Sequence, residues 1–190
     1  MHLKYISFAI ILLFSPFGHT QESSAPPTIQ DLDFLVGTWE ITFDIFDTHA
    51  PGNDPLFSEA GTQICAYDLV HNQTPTFITC RGEVTSNRGR TRSFQESIHY
   101  NQFINAFERI GIFSNWPEHA VETVYFHPGN QSLELRGILN VEDGMVERYE
   151  DIYSFDKTYT SYSRRNVANF SDMPVTEFNL TLTGTGRKLD

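Results

Sequence analysis

From residue 37 onward the chain is organised by a period of two. Trp39, Ile41, Phe43 and Ile45 alternate with Thr38, Glu40, Thr42 and Asp44, the pattern of a strand with one buried face. About ten such segments follow one another, near 37–46, 58–69, 76–84, 92–100, 103–113, 120–126, 131–139, 145–155, 158–167 and 176–187. Turn-rich breaks separate most of them, among them Ser86-Asn87-Arg88-Gly89, His127-Pro128-Gly129-Asn130 and Glu142-Asp143-Gly144. No stretch after residue 36 keeps a 3.6-residue apolar period. So much strand needs its sheet edges hidden, and closing the sheet on itself hides them. The expected fold is all-β, an antiparallel up-and-down β-barrel of about ten strands.

Ahead of the barrel, Thr28 and Asp31 are spaced as a helix N-cap, so a short helix over 28–35 is expected, placed to plug one barrel end. Residues 1–20 read as a secretory signal: Lys4, the apolar run Tyr5 to Phe14, then the small-residue region around Gly18-His19-Thr20. Residues 21–30 form a polar linker, and 31–190 form one domain. The leader's apolar run is shorter than the roughly 20 residues of a membrane span. The first cysteine, Cys65, is far from any site for a lipid anchor. The expected location is periplasmic or extracellular. A net charge of −11 argues against nucleic acid and anionic membrane as partners.

Cys65 and Cys80 lie on consecutive expected strands, nearly equidistant from the loop His71-Asn72-Gln73-Thr74-Pro75. In an exported chain that placement favours a disulfide; the alternative is two buried thiols on different faces. A metal site lacks closely spaced cysteines and a histidine cluster.

The segment DLDFLVGTWE, residues 31–40, with its Gly37-Thr38-Trp39, the aromatic meander and the terminal Thr185-Gly186-Arg187 together resemble the calycin superfamily, which includes lipocalins and fatty-acid-binding proteins. The opening is most similar to bacterial exported lipocalin-like proteins of unassigned function. The resemblance runs over roughly 31–188. It implies structural roles for Gly37, Trp39 and Arg187, with Arg187 packed over Trp39 as a cation–π pair where the last strand closes on the first. Nitrobindin-like barrels with a similar opening bind haem through a histidine near the C-terminus. The last histidine here is His127, so no cofactor is expected.

No nucleophile elbow, zincin, P-loop or dinucleotide motif is present in the sequence. Of the histidines beyond the leader only His99 falls within a strand, and a turn at Asn101-Gln102 sets it across from Ile104. The sharper signal is Arg148, Arg164 and Arg165. If Asp156-Lys157 is a tight turn, Phe155 pairs with Thr158 and Arg148 stands opposite Arg165, or opposite Arg164 after a one-residue slip. Like charges across a strand pair need compensation. Glu147, Glu150 or solvent supplies it on one reading; on the other, the arginines face inward and, with Tyr162 or Glu150, orient a bound anion. Arg136 is expected to form an ion pair with Glu150 or Asp151. Tyr149, Asp151, Tyr153 and Phe155 share the opposite face of their strand, and Phe103, Phe107 and Phe113 share a face of theirs.

The leading reading is an exported barrel that holds a small apolar or amphipathic molecule. The alternatives are an enzyme using the barrel as a reaction chamber, an isomerase or hydrolase, and an envelope-structural or protein-binding module whose barrel is filled.

Overall fold

The computed structural model describes residues 26–48, 54–71, 74–115, 119–140, 146–170, 174 and 176–190. The expected signal, most of the expected linker, Trp116-Pro117 and the expected turn at Asp143-Gly144 lie outside these. A seven-residue 3-10 helix, Ile29–Leu35, precedes ten strands: β1 Gly37–Ile45, β2 Phe57–His71, β3 Thr74–Ser86, β4 Thr91–Asn101, β5 Ala106–Phe113, β6 His119–His127, β7 Ser132–Asn140, β8 Val146–Phe155, β9 Ser161–Phe170 and β10 Asn179–Lys188. Each strand pairs antiparallel with its sequence neighbours, and β10 closes onto β1, giving a ten-strand up-and-down barrel without edges.

The helix begins where the Thr28–Asp31 spacing places it. The Thr28 N–H donates to the Asp31 carboxylate at 2.7 Å. Ile29 and Leu32 are buried, and Leu35, at its end, accepts a 2.8 Å hydrogen bond from the Trp39 indole N–H. The helix packs against β3 and β4 and plugs the end of the barrel where β1 starts. From the helix, Phe34 reaches among the rings of Phe126, Phe155 and Tyr159, and Trp39 lies against Tyr162 at 5.3 Å. Here Cys65 and Cys80 pair across β2 and β3 and form a disulfide buried in the core.

Three expectations near this end are corrected by the observed pairing. Trp39 pairs with Lys188, whose ammonium lies over the indole; Arg187 pairs with Glu40 and forms an exposed ion pair with it at 2.7 Å. His99 stands opposite Glu108, not Ile104, with Nε2 3.4 Å from its carboxylate. The turn reaches to Asn105, which takes a positive φ of 53°, and Phe103 is 91 % exposed on it instead of sharing a face of β5.

The β8–β9 connection is longer than a tight turn. Phe155 pairs with Tyr162, because Asp156 caps the loop: its carboxylate accepts from the Thr160 N–H at 2.8 Å and from the Thr160 and Thr158 hydroxyls. Arg148 consequently pairs with Asn169, Arg165 with Ile152, and Arg164 with Tyr153. The expected opposition of Arg148 to Arg165 or Arg164 does not form. Arg148 and Arg165 are exposed on the outer wall. Arg136 does pair with Glu150, at 3.8 Å, and with Glu134 at 2.5 Å.

Candidate functional site

Strand alternation sends one residue in two into the barrel. On β5 the inward set is Phe107, Arg109, Gly111 and Phe113; on β8 it is Tyr149, Asp151, Tyr153 and Phe155. The aromatic residues therefore carry an arginine and a carboxylate into the interior with them. Across the barrel the same phase brings in Glu59, Arg92, Glu96, Glu122 and Arg164.

Arg109 is the centre of the resulting network. Its Nε and Nη2 both donate to the Glu122 carboxylate, and Nη1 donates to Glu96 at 3.0 Å and to the Tyr153 hydroxyl at 3.3 Å. Tyr149 donates its hydroxyl proton to Glu122 at 2.9 Å. Burial alone would make Arg109 easier to deprotonate, but Glu122 and Glu96 outweigh it and hold the guanidinium charged. Burial pushes the Tyr153 and Tyr149 hydroxyls well above the ordinary phenol range, so both remain neutral. Asp151, fully buried, accepts a bidentate pair of bonds from Arg164 at 2.5–3.1 Å. Burial lowers Arg164 as well, and Asp151 more than offsets it. The Arg164 guanidinium lies 4.9 Å from the Tyr153 ring centroid and 5.2 Å from that of Phe43.

This layer divides the lumen. Toward the plugged end, between Glu96, Arg109, Tyr153, Tyr162 and the disulfide, only about 40 Å³ is empty, room for a water or so. Toward the other end a cavity of about 240 Å³ remains. Phe43, Phe94 and Phe113, with Ile45 and Leu182, form its apolar wall, and Arg92, Glu96, Arg164, Asn166 and Thr181 supply polar groups. Each of the three rings lies over a glycine. A Cβ on Gly184 would come within 2.7 Å of Phe43, one on Gly111 within 3.1 Å of Phe113, and one on Gly82 would overlap Phe94. Arg92 is fixed by a bidentate bond to Glu59 at 2.6–3.0 Å, and its guanidinium lies 5.9 Å from the ring centroids of both Phe43 and Phe94.

Of the residues singled out in the sequence, Arg164 lines the larger cavity and Tyr162 the smaller one. Glu150 stays with Arg136 toward the outside. Arg109, Glu96, Glu122, Asp151, Arg92 and Glu59 belong to no motif that marks a site. Their signal was phase: Arg109 alternates with Phe107 and Phe113, and Asp151 with Tyr149 and Tyr153. Among the described residues no His/Cys/Asp/Glu group is arranged to hold a metal ion, and no helix is long and apolar enough to cross a membrane.

No protein-family model matches the chain, and no curated protein matches it significantly. Among solved structures the chain is similar to a de novo designed fluorescence-activating β-barrel, with 16% identity and a TM-score of 0.39 over 82% of this chain and 94% of that one. It is also similar to a redesigned β-barrel, mFAP0, bound to DFHBI, with 12% identity and a TM-score of 0.39 over 82% and 99%. At such scores the barrels differ too much in geometry for the ligand of one to bear on the other.

Proposed function

We propose that the chain is an exported barrel that holds a small apolar or amphipathic molecule in the cavity beyond the arginine–carboxylate layer. The observation that carries this reading is a hollow of about 240 Å³ lined by three phenyl rings and by fixed polar side chains, where the plugged end keeps only about 40 Å³. Ligand sites combine such an apolar wall with a few fixed polar groups. Here Arg92 and Arg164 are locked by Glu59 and Asp151 before any ligand arrives, which lowers the cost of ordering the site. The buried carboxylates are engaged by arginines, an arrangement that orients a ligand more readily than it abstracts a proton.

The leader at 1–20 supports export, and a buried disulfide is in keeping with an oxidising compartment. The resemblance of residues 31–40 to calycins, together with closure of the last strand on the first, supports a calycin-like carrier. Arg164 is the expected ligand-facing residue that this reading retains.

Native mass spectrometry of protein purified from its own host tests the proposal. A retained small molecule is expected, and it should be lost from a Leu182→Trp variant, whose indole would occupy the cavity. Retention of the same molecule by that variant would place the ligand elsewhere.

A further inference from the structure

Arginines occupy the alternate positions 88, 90 and 92, in a chain whose net charge is −11. They belong to the β3–β4 hairpin. Its turn is fixed by Ser86 N–H to the Arg90 carbonyl at 2.8 Å, by Gly89 N–H to the Ser86 carbonyl at 2.9 Å, and by Arg90 N–H to Ser86 Oγ at 3.1 Å. Gly89 takes the positive φ of 74° that such a turn needs. This rigid turn holds the three guanidiniums around one pocket of about 230 Å³, at the end of the barrel away from the helix.

The three are not equally engaged. Arg92 points inward and is bound to Glu59. Arg88 lies over the Phe57 ring at 5.4 Å and donates from Nη2 to the Leu56 carbonyl, leaving its other donors available. The Arg90 side chain has no partner among the described residues and is exposed. Glu59 is the one carboxylate among the residues that line the pocket, so positive charge is in excess there. Clustered like charges are unfavourable unless a counter-charge joins them. Arg92 also lines the phenyl-walled cavity, so the two hollows meet at its side chain.

From this juxtaposition we infer that the pocket of Arg88, Arg90 and Arg92 receives the anionic head group, a carboxylate or phosphate monoester, of an amphiphile whose hydrocarbon part enters the cavity of Phe43, Phe94 and Phe113. This rests on the ligand-holding reading above and adds the ligand's charge and orientation. Arginine forks bind such oxygens through paired, charge-assisted hydrogen bonds. The arginines that the sequence pattern first drew attention to, Arg148 and Arg165, stand on the outer wall and take no part.

Isothermal titration of octanoate, octyl phosphate and octanol into the purified protein tests it, with Arg90→Glu, Arg88→Gln and Leu182→Trp as variants. The two anions are expected to bind at least about tenfold more tightly than octanol, the scale of a charged hydrogen bond. Arg90→Glu should remove most of that gap while leaving octanol binding unchanged, and Arg88→Gln should narrow it. The turn is held by the Arg90 backbone and the side chain has no partner among the described residues, so its substitution leaves the hairpin intact. Anions that bind no better than octanol, or a gap that survives both arginine variants, would overturn the head-group site and leave the cavity standing. Octanol binding indifferent to Leu182→Trp would overturn the cavity reading instead, and absence of binding by all three probes would overturn both.

Discussion

The ammonium of Lys188 stands 5.6 Å from the ring centroid of Trp39, at the point where the last strand closes on the first. Nζ also reaches the Phe34 carbonyl at 3.4 Å, tying the closing strand to the helix that plugs the barrel. Cation–π contact at a partly buried site is worth about 0.5–2 kcal/mol. Lys188→Ala should therefore lower stability by about 1 kcal/mol in chemical denaturation and alter Trp39 fluorescence. Arg187→Ala removes an ion pair whose side chains are 67% and 52% exposed. It should change stability by less than about 0.5 kcal/mol. The reverse order of effects would contradict the register.

Arg109 is expected to be among the least replaceable side chains. Replacing it with Leu leaves Glu122 and Glu96 buried without their cation, and breaking such a network by removing one partner costs about 3–5 kcal/mol. Urea denaturation of Arg109→Leu should show a midpoint far below that of Arg148→Leu, whose side chain is exposed. Similar midpoints would mean that the network contributes little.

The disulfide closes a loop of sequence separation 15. The double variant Cys65→Ala/Cys80→Ala should lose on the order of 3 kcal/mol in the chain-entropy description. Because both cysteines are buried, a mild reductant should leave the bond intact in the native protein and cleave it after unfolding. Peptide mapping under non-reducing conditions, with and without urea, reads this directly.

Asp156 gives the β8–β9 loop a pH dependence of known sign. Slight desolvation raises its pKa, but hydrogen bonds from the Thr160 N–H and hydroxyl, the Ser161 backbone and Thr158 outweigh that and bring it from 3.8 to about 2. A carboxylate held below its unfolded value stabilises the fold above the unfolded pKa and loses that contribution as pH falls. Asp156→Ala should thus be less stable than the unaltered chain at pH 7, with the difference shrinking between about pH 4 and pH 2. A difference that persists unchanged at pH 2 would show that the carboxylate's charge is not what anchors the loop.

The strands, the hairpin disulfide and the plug helix were legible because turn residues and alternation act locally. Asn87-Arg88-Gly89 and Pro128-Gly129-Asn130 mark their turns in any context. The β8–β9 register was not, because it depends on how many residues Asp156 gathers into its loop. That count is decided by side-chain hydrogen bonds to Thr158 and Thr160 and by Tyr159 taking a φ of 55°. The interior charges were obscured for a different reason. Ile110, Ile112 and Ile138 face outward while Arg109 and Glu122 face inward, so hydropathy assigns the wrong face to parts of β5 to β7. Only phase with the aromatic residues orients these strands correctly.

The phenyl rings around the cavity pack over Gly184, Gly111 and Gly82, so the calibre of the lumen is set from behind the rings. A methyl group added at residue 82 would meet the Phe94 ring first and displace it, whereas one at residue 184 would meet the Thr42 carbonyl as well as Phe43. The size of molecule that the barrel accepts can therefore be retuned from its wall, at positions that a catalogue of ligand contacts would never include.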